Sequence, residues 1–339
     1  MRGQVGRGFN GRRIVTSLDL PLAVAGPAGF VDESIAWHFG DPHREQRFLA
    51  DGMSVVDISN RGVVTVTGPD RLTWMHTLTT QHLENLQPTE SALVLILSPH
   101  GHVEHELHLV DDGETTWLIV EPGTADALER YLVSMQFMLR VSISNVTSRF
   151  AVVWEPVASI DANHPTWLVP EPFASRGFRG REVILPREEL PARLTGAPER
   201  SGSWALEALR VAASMPRLGF ETDHKTLPHE VGWIGSAVHL QKGCYRGQET
   251  VARVQNLGKP PRRLVLLHLD GSPEILPGHG ARVFAGDNEV GWVGSAARHY
   301  ELGPIATAII KRKVPVDAVL TVRTDEGDVA AAQENTLTI

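Results

Sequence analysis

The chain changes texture at Gly258-Lys259-Pro260-Pro261, and that break limits its possible folds more than any other feature. Ahead of it, helix-period and strand-period segments alternate. Beyond it there are only short strands between glycine turns, at 264–269, 281–284, 289–293, 306–310 and 319–322. Strands at that spacing predict a small β-barrel. A chain of 339 residues is too long for one ordinary core, so the barrel, 261–339, is expected as one domain among several.

Ahead of the break, β-branched strands at 54–58 and 62–66 lead to Gly68-Pro69-Asp70, which opens a helix with Leu72, Met75 and Leu78 on one face. Apolar runs at 92–97, 103–110 and 116–120 are joined by Pro99-His100-Gly101 and Asp111-Asp112-Gly113, the pattern of a three-strand meander. Thr124 then caps a helix carrying Leu128, Leu132 and Met135. This order predicts an α+β domain over 51–140, with helices on one sheet face. Residues 141–203 read as a second small α+β domain, and 204–260 as returning to complete the first. Residues 1–50 show little periodicity and are expected to be an N-terminal extension, partly disordered, with arginines at 2, 7, 12 and 13.

A formal net charge of −8 argues against broad electrostatic binding to nucleic acid or to an anionic membrane. There is no apolar run of transmembrane length, and no signal-type apolar region follows the early arginines. The single cysteine excludes an intrachain disulfide framework and fits a reducing cytosol. It also excludes a self-contained iron–sulfur centre, which needs several thiolates.

That cysteine lies in Lys242-Gly243-Cys244-Tyr245-Arg246-Gly247-Gln248-Glu249, between two glycines and two cations, just ahead of a helix expected at 248–255. Neighbouring positive charge and a helix N-terminus both favour thiolate, so Cys244 is expected to be reactive, with Lys242 and Arg246 lowering its pKa. The other reading is a small buried hydrophobe. A second dense stretch is Gly101-His102-Val103-Glu104-His105-Glu106-Leu107-His108. Strand alternation puts His102, Glu104, Glu106 and His108 on one face, where they could bind a metal, work as acid and base, or simply be solvated.

The octapeptide resembles the signature of the YgfZ family, folate-binding proteins that support iron–sulfur enzymes and are similar in fold to the glycine-cleavage aminomethyltransferase, GcvT. The resemblance runs from about Asp51 onward. It implies three subdomains around a central folate cleft, with tetrahydrofolate or a one-carbon derivative as cofactor. Implied partners are iron–sulfur client enzymes or cluster-assembly proteins. Where GcvT has two aspartates near the folate nitrogens, the best register here places His105 and Glu106, and a slip brings in Glu104. Glu106 is thus implied to contact folate or to transfer a proton. Gly177-Phe178-Arg179-Gly180-Arg181-Glu182 resembles the GcvT stretch whose glutamate holds the pterin ring, with Arg181 at that position and Glu182 after it. A carboxylate there could pair with the pterin edge, and Arg179 or Arg181 could hold the glutamyl tail. Arg210-Val211-Ala212-Ala213 is similar to a family pattern with glutamate in place of Ala212, and Arg210 could reach a folate carboxylate. Cys244 and Lys242 with Glu106 make the implied reactive set. Glu104, Arg179, Arg181, Glu182, Arg210, Tyr245 and Arg246 are the implied folate contacts, and no metal ligand is assigned. The alternatives are a folate-dependent aminomethyl- or methyltransferase and a non-catalytic interaction module with a vestigial pocket.

Overall fold

The computed structural model describes residues 16–335, so the early arginines fall outside the described residues. Two short strands, β1 (Val24–Ala25) and β2 (Ala36–His38), form a ribbon ahead of α1 (Pro42–Ala50). Proline at the first turn and the Asp41 carboxylate, which accepts the Arg44 N–H at 3.0 Å, start that helix. The described part of the expected extension is therefore built into the fold. The Ser17 N–H donates to Asp57 Oδ2 at 2.7 Å, and the Gln46 amide donates to the Arg298 carbonyl at 2.9 Å.

Next come β3 (Ser54–Asp57), β4 (Gly62–Thr67), α2 (Arg71–Leu78), β5 (Ser91–Leu97), β6 (Val103–Asp111), β7 (Thr115–Val120) and α3 (Ala125–Met135). Thr124 sits at the N-cap of α3 as expected, but its hydroxyl turns back to the Glu121 carbonyl instead of capping. After β8 (Ser142–Asn145), β9 (Phe150–Glu155), β10 (Thr166–Leu168), β11 (Arg181–Pro186), α4 (Leu190–Gly196) and β12 (Glu199–Ser201), the long buried α5 (Ser203–Ala212) leads to α6 (Gln248–Leu257). Gly258, at φ 82°, closes α6 in the left-handed conformation that glycine adopts without steric cost.

The two upstream sheets have the orders β5-β6-β7-β4-β8 and β10-β11-β9-β3-β12. They trade strands across the expected boundary near residue 140. β3 pairs with β9 and β12 in the second sheet, whereas β8 pairs with β4 in the first. Alternation in the first sheet then builds layers. Val64, Leu107, Leu109 and Leu118 pack under α2 and α3, while Val63, Leu93, Leu95 and Ile119 face the second sheet. The far face of the second sheet buries Val153, Val183 and Leu185 against Leu190 and Leu194 of α4.

Downstream of the Pro260-Pro261 break, β13 (Arg262–Leu269), β14 (Arg282–Ala285), β15 (Asn288–His299), β16 (Gly303–Lys311), β17 (Leu320–Thr324) and β18 (Gly327–Glu334) close a barrel in the order β13-β16-β15-β14-β17-β18. Its wall meets α5 through Leu266, Ala297 and Ile305. Among the described residues no helix is long and apolar enough to cross a membrane.

Candidate functional site

Strand alternation sends Glu106 and His108 of β6 inward, to a small cavity where both sheets meet α5 and the loop after it. The His108 ring stacks on Trp167, centroids 3.7 Å apart and planes within 5°. Its Nδ1 lies 2.7 Å from Glu182 Oε2, and its Nε2 lies 3.7 Å from Glu106 Oε1. Burial opposes charge on this imidazole, but attraction to Glu182 and Glu106, with the hydrogen bond to Glu182, outweighs it and pushes the pKa up to about 9. Glu182 is held below the usual carboxylate range, because His108 overcomes the cost of its burial. Glu106 also accepts the Leu218 N–H at 2.9 Å.

Two buried arginines seal the other side. Arg217 places Nη1 2.8 Å from Asp32 Oδ2, Nε 2.8 Å from Glu121 Oε2 and Nη1 3.2 Å from Glu207 Oε1. Arg210 bonds Glu207 Oε2 at 2.9 Å and Ser295 Oγ at 2.6 Å, and it lies 3.3 Å from Glu221. Despite burial, these carboxylates hold both guanidinium pKa values above normal. The cavity left among them measures about 30 Å³. One water needs about 10–15 Å³ of such space, and pockets for larger ligands run to about 300–1,000 Å³. The cavity as it stands therefore takes water and no more. Two donors on its wall, Trp154 Nε1 and Arg61 Nε, are buried without a partner. Such donors favour a ligand or solvent bearing acceptors.

The cysteine loop is a separate place. Lys242 runs inward, and its ammonium donates to the carbonyls of His76 and Thr79 at the end of α2. Burial lowers its pKa to about 8. Tyr245 is buried in the main core, and that burial raises its phenol to about 12. Arg246 turns to the Tyr131 hydroxyl at 3.2 Å and to Glu104 at 3.4 Å. Cys244 itself is exposed and free. Gly247, at φ 81°, crosses the β5–β6 turn so closely that a Cβ would stand 2.6 Å from the Ser98 carbonyl oxygen and 2.8 Å from Gly101 Cα. Gly247→Ala should therefore displace the loop and cost more than about 1 kcal/mol. A lowered melting midpoint with faster labelling of Cys244 by a disulfide reagent is the expected readout.

Several sequence expectations change here. Glu106, Glu182 and Arg210 do converge, but Cys244 does not join them among the residues lining the cavity. The cations flanking Cys244 in sequence, Lys242 and Arg246, are committed to α2 carbonyls and to Tyr131 with Glu104. Glu104 therefore sits outside the cavity with Arg246. Arg181 is on the opposite face of β11 from Glu182, 2.7 Å from Glu155, while Arg179 is exposed. Arg210 is consumed by Glu207 and Glu221, which leaves no free guanidinium for a folate tail. His102, Glu104, Glu106 and His108 do not gather as a metal site. Sequence reading missed Asp32, Glu121 and Glu207. Only Glu207 carried a signal, standing three residues before Arg210 on one helix face.

Residues 25–154 match the GCVT N-terminal domain family, and residues 262–335 match the glycine cleavage T-protein C-terminal barrel domain. The fold superposes on glycine cleavage system aminomethyltransferase T from Bartonella henselae with a TM-score of 0.77, at 17% identity and 94% coverage of either chain. With this α+β architecture and six-stranded barrel, the chain belongs to the GcvT aminomethyltransferase superfamily. Two kinds of relative are among the matches. An aminomethyltransferase from a Nostoc species is 24% identical over 305 residues, 80% of each chain. An iron–sulfur cluster assembly factor IBA57 homolog from Chaetomium globosum is 25% identical over 296 residues, 75% of this chain and 65% of that one.

Proposed function

We propose that this chain binds a reduced folate at the Glu106–His108–Glu182 cavity and uses Cys244 to support iron–sulfur clusters in client proteins. One observation carries the reading. The only cysteine in the sequence is exposed on a loop fixed by Lys242 on one side and Gly247 on the other, and it is not among the residues lining the cavity. A thiolate is the usual protein ligand of such clusters, and one thiolate suffices only if a partner supplies the rest.

The cavity suits a pterin in chemistry and not in its closed volume. The carboxylates of Glu182 and Glu106 match an amino-bearing ring edge, and Trp154 Nε1 and Arg61 Nε match ring acceptors. Entry of the ring needs the cavity wall to open, and Met215, Pro216 and Arg217 form one part of that wall. Ser214, held at φ 53°, immediately precedes them. Within the closed cavity Glu106 is tied to the Leu218 amide and to His108, which speaks against its acting as a free base in aminomethyl transfer.

Cys244→Ser tests the reading. The variant should fold, and a reduced folate should raise its melting midpoint as it does the wild type's, following mass action. In cells lacking the native protein it should fail to restore iron–sulfur enzyme activity. Full restoration by the serine variant would remove the thiol from the mechanism. Absence of any folate-induced shift would remove the cofactor, and turnover with a methylamine donor would point to the transferase instead.

A further inference from the structure

We propose that His76, His82 and Glu84 bind a divalent transition-metal ion beside the cysteine loop. His76 lies in the last turn of α2, and His82 and Glu84 meet it from the segment that follows the helix. Their ligand atoms all lie within 4.8 Å of one another. Two imidazoles and one carboxylate are a donor set that zinc uses when a further position stays open to solvent or substrate, and ferrous iron accepts the same set. Around one tetrahedral ion at about 2.0–2.1 Å such atoms stand roughly 3.3 Å apart, so the cluster must tighten slightly.

The right members are free to move. His76 is buried and its carbonyl is pinned by Lys242, whereas His82 is half-buried and Glu84 is exposed. Glu84 supplies charge of the opposite sign to both His76 and Lys242. His76 Nδ1 accepts the Leu83 N–H at 3.2 Å. Whichever ring nitrogen takes the ion, Nδ1 ceases to accept, so binding costs Leu83 that bond and leaves a mark on its amide. The site adjoins the loop. A Cβ on Gly243 would stand 3.9 Å from His76 Nε2, and the His239 ring is 5.7 Å from His82. The proposal is independent of the folate reading, since none of these side chains lines the cavity.

Cobalt(II) is the probe, titrated into the full-length protein and followed by its visible absorption, with zinc then added to displace it. One equivalent should give tetrahedral bands that zinc abolishes, and the Leu83 amide resonance should move in step. His82→Ala and Glu84→Ala, both changes near the surface, should each weaken binding at least tenfold without lowering the melting midpoint of the metal-free protein. His100→Ala, at an exposed histidine elsewhere, should not. No saturable cobalt binding, or equal affinity in the His82 and Glu84 variants, overturns it.

Discussion

Arg217→Met should destabilise the protein by about 3–5 kcal/mol, the usual cost of removing one partner from a buried ion pair. For a chain of this size that lowers the melting midpoint by roughly 4–7 °C. The methionine fills much of the volume, so the loss is electrostatic in origin. Asp32, Glu121 and Glu207 remain out of water with their shared cation gone. Adding Asp32→Asn should recover part of the loss, because it removes the carboxylate whose ion-pair partner was Arg217. Arg140 is the contrast. Its contact with Asp70 is shorter, at 2.6 Å, yet the arginine is exposed, and Arg140→Met should barely move the midpoint. Equal effects at both positions would mean that the cluster around Arg217 is hydrated in solution.

His108→Gln should change how stability depends on pH. The folded pKa of about 9 lies above the unfolded value of about 6.5, so the native state holds this proton more tightly. Its contribution is complete below pH 6.5 and is lost as pH rises through 9, a total of the order of 3 kcal/mol. Lys242 works in the opposite direction. Its folded pKa is depressed to about 8, so its contribution grows above that value. The difference between wild type and variant isolates His108. Urea midpoints from pH 6 to 9.5 should show the glutamine variant weaker at the acid end and converging with wild type at the alkaline end. Parallel curves would mean that His108 is neutral in the folded protein.

Local patterning was the part of this fold that sequence displayed. The helix period of Met75 and Leu78, the alternation along β6, and Gly258 after α6 each set an element near its observed limits. β18 escaped notice because its inward residues are Val329 and Ala331 amid alanines, too weak an alternation to stand out. The exchange of β3 and β8 between sheets was not legible either, since pairing at long separation leaves no local trace. The site divides in the same way. Glu182 was separable from Arg181 by strand alternation alone. The partners of Lys242 and Arg246 were not legible, because closeness in sequence does not fix direction. Lysine is long enough to leave its neighbour and reach the carbonyls at the end of α2.

The pairing of Asp32 with Arg217 spans 185 positions, and it bears on how the chain is made. A ribosome adds about 5–20 residues per second, so roughly 10–40 s separate the emergence of the two partners. During that interval the sheet strands are already available to collapse, but the carboxylate they would enclose has no cation. Early closure is thereby penalised by the same desolvation that later makes the pair tight. The cost of burying that charge disfavours closing the centre of the fold before the loop after α5 leaves the ribosome. Only then do the N-terminal ribbon, both sheets and α5 have reason to lock together, which leaves the barrel to be synthesised onto a core that has just become complete.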